Sequence, residues 1–219
     1  MKWTRVFALI AACGLVLPAS PQPQPADVIT VGTVTAPASI ADVPVYIRDV
    51  SGTPLGIDQP PGSRIQSFSI RVTYSPAAPV QSVTFTRAGI TAGLTPTFEI
   101  SPSSPGSISL LVTFPEATNL VPFTSNAPAP GNLVGHLVFT LAPSTPAGTT
   151  IALTLDPLLT QLTDEGGSPA TRETVVAGNL QLVSGAINVT GPSGGPTLDV
   201  WGLVALTLLL AVAAVRLRL

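Results

Sequence analysis

Few side chains in this 219-residue chain could do chemistry: it has one histidine, His136, and one cysteine, Cys13. A hydrolase of the serine–histidine–aspartate type would need His136 to meet a hydroxyl and a carboxylate, and no spacing around it suggests those partners. His136 stands in Gly135-His136-Leu137-Val138-Phe139, where strand alternation turns Leu137 and Phe139 inward and His136 to the other face. The carboxylates offer two further possibilities. Asp156, Asp164, Glu165 and Glu173 form a loose oxygen-rich stretch, and such loops can hold calcium. However, Asp164-Glu165-Gly166-Gly167 lacks the alternating carboxylates of an EF-hand loop and reads as an exposed turn. Asp42, Asp49 and Asp58 are separated by strand and loop and form no recognisable acid pair, where a glycosidase needs two facing carboxylates. The sequence therefore assigns no catalytic residue, no metal ligand and no cofactor.

Position along the chain sharpens these exclusions. The only Lys is Lys2 and the only Met is Met1, and both share the first segment with Cys13. Once that segment is removed, the chain has no Lys, Met or Cys, which excludes Schiff-base lysines, thiol nucleophiles, disulfides and thiolate metal sites. Charged residues are 9% of the total, with 9 Lys+Arg against 11 Asp+Glu; a typical chain has about 25%. So few cations exclude a nucleic-acid partner.

The two ends carry different signals. Lys2 and Arg5 precede the apolar run Val6–Leu17, and Pro18, Ala19 and Ser20 follow. A basic start, a short apolar run and small residues make a secretory signal peptide, assigned to residues 1–20, with a Pro-rich spacer over 21–26 and signal-peptidase cleavage between Ala19 and Ala26. Ile10-Ala11-Ala12-Cys13 resembles a bacterial lipobox, which would lipidate Cys13, but the apolar run before Cys13 is short and continues past it. At the other end a Gly/Pro linker over 191–196 leads to Pro196-Thr197-Leu198-Asp199-Val200-Trp201-Gly202, an apolar run, and Arg216-Leu217-Arg218-Leu219. At about 1.5 Å per residue, a helix over 200–215 covers most of a bilayer core of about 30 Å. Trp201 stands at the interface, and Arg216 and Arg218 supply the positive inner flank. The expected topology puts the body outside the cytoplasmic membrane. Pro196, Thr197, Leu198, Trp201 and Gly202 resemble the IPTL-type C-terminal sorting domain over 196–219. Gly195 stands where Ile or Val is usual, and Asp199-Val200 replaces the common Ser-Glu pair. That resemblance implies an exosortase partner, cleavage near Pro196–Thr197, and release of the body to the cell surface. A permanent membrane anchor is the alternative.

Between these ends lie short alternating strands. Val43/Val45/Ile47, Phe68/Ile70/Val72/Tyr74, Val83/Phe85, Ile108/Leu110/Val112/Phe114, Leu137/Phe139/Leu141, Ile151/Leu153/Leu155 and Ile187/Val189 recur every second residue. Each marks a strand with one buried face. Turn signals separate them, among them Gln59-Pro60-Pro61-Gly62 and Thr145–Gly148. About nine such strands predict an all-β, two-sheet sandwich over residues 27–190.

The order of these segments resembles the cohesin family, whose fold is a jelly-roll sandwich. Ile29-Thr30-Val31-Gly32 and Val43-Pro44-Val45 are similar to its first two strands. Ile65–Pro76, with Phe68-Ser69-Ile70-Arg71-Val72-Thr73-Tyr74, is similar to its third strand. Gly106-Ser107-Ile108 with Val112-Thr113-Phe114, Gly135–Leu141, Pro146–Ile151 and Gly178–Val189 are similar to later ones. Ser75 replaces the family's Asp, and the loop Gly52–Ser63 is longer than usual. The family's dockerin contacts have no motif that maps here, so the binding face stays unassigned. The resemblance implies a surface-displayed, non-catalytic module binding an extracellular protein or glycan. A structural component of the extracellular matrix or envelope is the alternative. Carbohydrate binding through an aromatic platform fits less well, because the body has no Trp between Trp3 and Trp201 and only Tyr46 and Tyr74.

Overall fold

The computed structural model describes residues 24–164 and 171–191. The signal peptide, the sorting motif at Pro196, Thr197, Leu198, Trp201 and Gly202, the 200–215 helix and the Arg216/Arg218 flank lie outside the described residues. Among the described residues no helix is long and apolar enough to cross a membrane.

Alternation in the sequence becomes two stacked sheets. The first, in spatial order, is β13 (Leu180–Val183), β1 (Asp27–Val31), β3 (Ile40–Arg48), β9 (Asn132–Leu141) and β5 (Val80–Arg87). The second runs β12 (Arg172–Thr174), β11 (Gln161–Thr163), β4 (Ser67–Ser75), β10 (Thr150–Leu155), β14 (Gly185–Thr190) and β2 (Thr33–Pro37). Its strand β8 (Ser107–Thr113) pairs with β4 and carries β6 (Phe98–Ile100) and β7 (Ser103–Ser104). A single 3-10 turn, Gly89–Thr91, follows β5.

The inward residues are those the period of two selects. Val43, Val45 and Ile47 are buried, as are Phe68, Ile70, Val72 and Tyr74 on the facing sheet and Leu137, Phe139, Leu141, Ile151 and Leu153 around them. Phe68 meets Phe85 and Phe114, and Tyr74 meets Phe139 edge-on with ring centroids 5.5 Å apart. Such ring contacts add to area burial in the sandwich core.

The fourteen strands among the described residues exceed the expected number of about nine for two reasons. Short strands of two or three residues, β6, β7, β11 and β12, carry too few positions to show a period. Two segments also change sheets in mid-course. The closing stretch, expected as one strand, leaves the first sheet after β13 and enters the second as β14. The opening stretch does the same, from β1 to β2. The two changes lie side by side: a Cβ on Gly185 would collide with the carbonyl oxygens of Gly32 and Val31, and one on Gly32 would lie 2.7 Å from Pro44 Cγ. Glycine at both points allows the parallel pairs β1/β13 and β2/β14 to cross together.

Candidate functional site

His136 is on the outer face of the first sheet, as its alternation requires. Its partner, which spacing did not suggest, comes from the neighbouring strand: Nδ1 lies 2.6 Å from Asp42 Oδ1. β3 and β9 pair Pro44 with His136 and Asp42 with Val138, so the contact is a diagonal one. Thr86 is the register neighbour of His136 on β5, yet among the described residues no hydrogen bond joins it to the imidazole. The pair is a partly exposed contact, and among the described residues no nucleophile is hydrogen-bonded to it.

Of the exposed turn expected at Asp164-Glu165-Gly166-Gly167, the described residues include only Asp164, which is buried. Asp156 Oδ1 accepts the N–H groups of Leu158 at 2.9 Å and Leu159 at 3.2 Å, building the turn that leads into β11. Asp164 and Glu173 are instead buried, at 5% and 0% exposure, while Glu165, Gly166 and Gly167 lie outside the described residues. The cause is register: Leu162 pairs with Phe68 on one side and Glu173 on the other, so Glu173 shares the inward row of two core residues. Among the described residues no group of three or more His, Cys, Asp or Glu is placed to hold a metal ion.

Glu173 meets two carboxylates that the sequence left apart. Asp27 occupies the inward phase of β1 with Ile29 and Val31, and Asp49 follows β3; both are fully buried. Together they clamp the loop over residues 50–64. Asp27 Oδ1 accepts the Val50 N–H at 2.7 Å and lies 3.2 Å from the Thr53 hydroxyl. Glu173 Oε1 accepts the Leu55 N–H at 2.9 Å, and Asp49 Oδ2 accepts the Ile57 N–H at 2.8 Å. Two outer carboxylates complete the set: Asp58 takes the Gly52 N–H at 2.9 Å and Glu116 the Gly62 N–H at 3.1 Å. Gly56, at φ +146°, is required here, because a Cβ would lie 2.5 Å from Asp49 Oδ1. The long loop is therefore packed and bonded, with Leu55 at 0% exposure.

Burial governs the ionisation of this cluster. Desolvation, followed by the neighbouring charge of Glu173, pushes the Asp27 carboxyl up to about 9. Desolvation likewise raises Glu173 and Asp49 above the ordinary carboxylate range, against hydrogen bonds that lower them. Asp27 and Glu173 are within hydrogen-bonding reach of each other. Their second oxygens, Oδ2 and Oε2, have no other partner.

The outer face of the second sheet is different in kind. β4 presents Ser69, Arg71 and Thr73, and β8 presents Ser109, Leu111 and Thr113. Arg71 lies across β8, donating to Ser109 Oγ at 2.9 Å and Ser107 Oγ at 3.2 Å. Apolar side chains flank it on both sides. Phe98 and Ile100 on β6 are 47% and 45% exposed, in register with Thr113 and Leu111. Across β4, Leu158 and Leu159 are 79% and 52% exposed, and the Leu159 carbonyl accepts from Ser69 Oγ at 3.2 Å. The sequence predicted the strands of this face but not this patch, because Phe98, Ile100, Leu158 and Leu159 come from a short edge strand and a turn.

Solved structures of similar fold exist. CaCohA2 of Clostridium acetobutylicum, in a complex with CaDoc0917, superposes with a TM-score of 0.51 at 24% identity, over 75% of this chain and 99% of that one. The fold is cohesin-like. The sixth cohesin of Acetivibrio cellulolyticus scaffoldin B, in complex with the Cel5 dockerin, gives 0.51 at 17% identity over 75% and 99% of the two chains. The Coh-OlpC module of the Coh-OlpC–Doc435 complex from Clostridium thermocellum gives 0.51 at 12% identity over 79% and 99%. No protein-family model and no curated protein matches the chain. The similarity spans 99% of each of these three chains.

Proposed function

We propose that the chain is an exported, non-catalytic module that binds a protein partner on the outer face of its second sheet. The observation that carries this reading is the patch of Phe98, Ile100, Leu158 and Leu159 around Arg71, which is held flat by two serine hydroxyls. Exposed apolar groups around a pre-positioned arginine are the makings of a protein-binding surface. The partner that fits presents apolar side chains around a carboxylate that reaches Arg71. The dockerin complexes of the similar cohesin structures support a protein as the occupant. A glycan has less support, since Tyr74 is buried in the core and, among the described residues, Phe98 is the one exposed aromatic on this face.

Residues 1–20 direct export in this reading. The motif at Pro196, Thr197, Leu198, Trp201 and Gly202 addresses the chain to an exosortase, with the 200–215 helix and Arg216/Arg218 holding it in the membrane until cleavage. The deciding experiment is capture from envelope and culture fractions of the host, using the mature protein and its Phe98→Asp/Leu159→Asp variant. A saturable partner lost at least tenfold in the variant supports the reading. A partner held equally by both proteins moves binding to another face. No partner, with bulk abundance in the matrix, favours the structural role instead. Mass spectrometry of the surface protein checks the sorting step: loss of Trp201–Leu219 is expected, and an intact C-terminus overturns it.

A further inference from the structure

We propose that Asp27 and Glu173 hold one proton between them and act as a pH-released clasp on the 50–64 loop. Both side chains are fully buried. Each uses one oxygen on a loop amide, Asp27 on Val50 and Glu173 on Leu55. The remaining oxygens, Asp27 Oδ2 and Glu173 Oε2, are buried and accept no hydrogen bond from the described residues, and the two carboxyl groups lie within hydrogen-bonding reach of each other. Two bare carboxylates in this position would repel at short range in a poorly hydrated site. One proton converts the contact into a carboxyl–carboxylate hydrogen bond and satisfies both oxygens. A metal ion could play the same part, but the described residues place no set of three ligands for one.

The surroundings favour retention of the proton. Asp49 adds negative charge to both members, and Asp58 and Arg64 reach the pair only through Asp49, with opposite effects on it. Asp164, beyond Leu162 on the β11 side, has one oxygen on the Thr171 N–H at 3.3 Å. β13 and β4 face the pair with Leu180 and Phe68, which carry no charge. Arg48 alternates to the outer face of β3, and Arg172 to the outer face of β12. Among the described residues no cation acts directly on the pair.

The sign follows from proton counting. The folded state keeps a proton that an unfolded aspartate, with an ordinary value of 3.8, gives up. Stability is therefore greatest below that value and falls as pH rises toward the folded value, by up to tenfold in the folding constant per pH unit. This is opposite to ordinary acid denaturation. Loss of the proton sets two charges against each other under Val50 and Leu55, so the loop opens before the sheets do.

The test uses the full chain in detergent, wild type beside Asp27→Asn and Glu173→Gln, followed by thermal melts from pH 5 to 9.5. Hydrogen exchange at Val50 and Leu55, corrected for the intrinsic rate, reports the loop. The wild type is expected to melt lower at each higher pH and to lose protection at those two amides while β3 and β9 keep theirs. Either amide variant keeps the hydrogen bond without a titrating proton, so its slope over this range is expected to fall at least by half. A wild-type midpoint that is flat or rises with pH overturns the proposal, as does an unchanged slope in both variants. Should both variants fail to fold, carbon NMR of the wild-type carboxyl groups decides: an Asp27 that titrates near pH 4 overturns it.

Discussion

The carboxylates under the 50–64 loop are buried, and each one holds a backbone amide. The polar groups on the outer face of the second sheet are wet, and apart from Arg71 they hold little. The two regions meet at β4, whose inward side chains end in Phe68 beside Leu162 and Glu173 while its outward ones are Ser69, Arg71 and Thr73. The difference shows that a residue type does not set its own role here. A carboxylate turned inward becomes a fastening whose loss leaves amides unsatisfied, and a leucine turned outward becomes available to a partner.

Substitutions can break this contrast, and the largest effect is expected inside. Glu173→Leu fills the space but leaves the Leu55 N–H without an acceptor and Asp27 without its partner. It should cost about 2–3 kcal/mol by urea unfolding at pH 5. Glu173→Gln keeps the acceptor and removes a titrating group, so it should gain about 1 kcal/mol over the wild type at pH 8 and show little gain at pH 5. On the outer face, Phe98→Asp and Leu159→Asp should each change stability by about 0.5 kcal/mol or less, measured in the same way, even where they abolish binding. A loss above about 2 kcal/mol there would make the patch part of the core and erase the contrast. The smallest effect is expected at His136→Ala, where a partly exposed contact with Asp42 contributes about 0.5 kcal/mol or less; a thermal melt checks it.

How much of this is legible in the sequence depends on the physics of each feature. The central strands are, because Phe68, Ile70, Val72 and Tyr74 or Val43, Val45 and Ile47 each line one buried face, and burial writes a period of two into sequence. β2 is not, since Thr33–Pro37 has an exposed, polar pattern with only Ala36 buried. β6 and β11 are too short to show any period. The acid cluster was hidden because Asp27, Asp49 and Glu173 meet only through the pairings of β1, β3, β11 and β12. One trace of it existed: Asp27 stands in phase with Ile29 and Val31, where an apolar residue would be ordinary. His136 was placed on the correct face, but its contact with Asp42 depends on how β3 and β9 are aligned, which alternation within one strand cannot supply.

The paired sheet changes at Gly32 and Gly185 have a mechanical consequence. β1 lies parallel to β13 and β2 parallel to β14, so the chain enters the body at one end and leaves it at the other. Tension between those ends drags the first strands one way and the last strands the other, along their own length. The ladders joining them are then loaded in shear, and their bonds must fail together instead of unzipping one by one. A body built this way can bear a pull between its two ends with its core still closed.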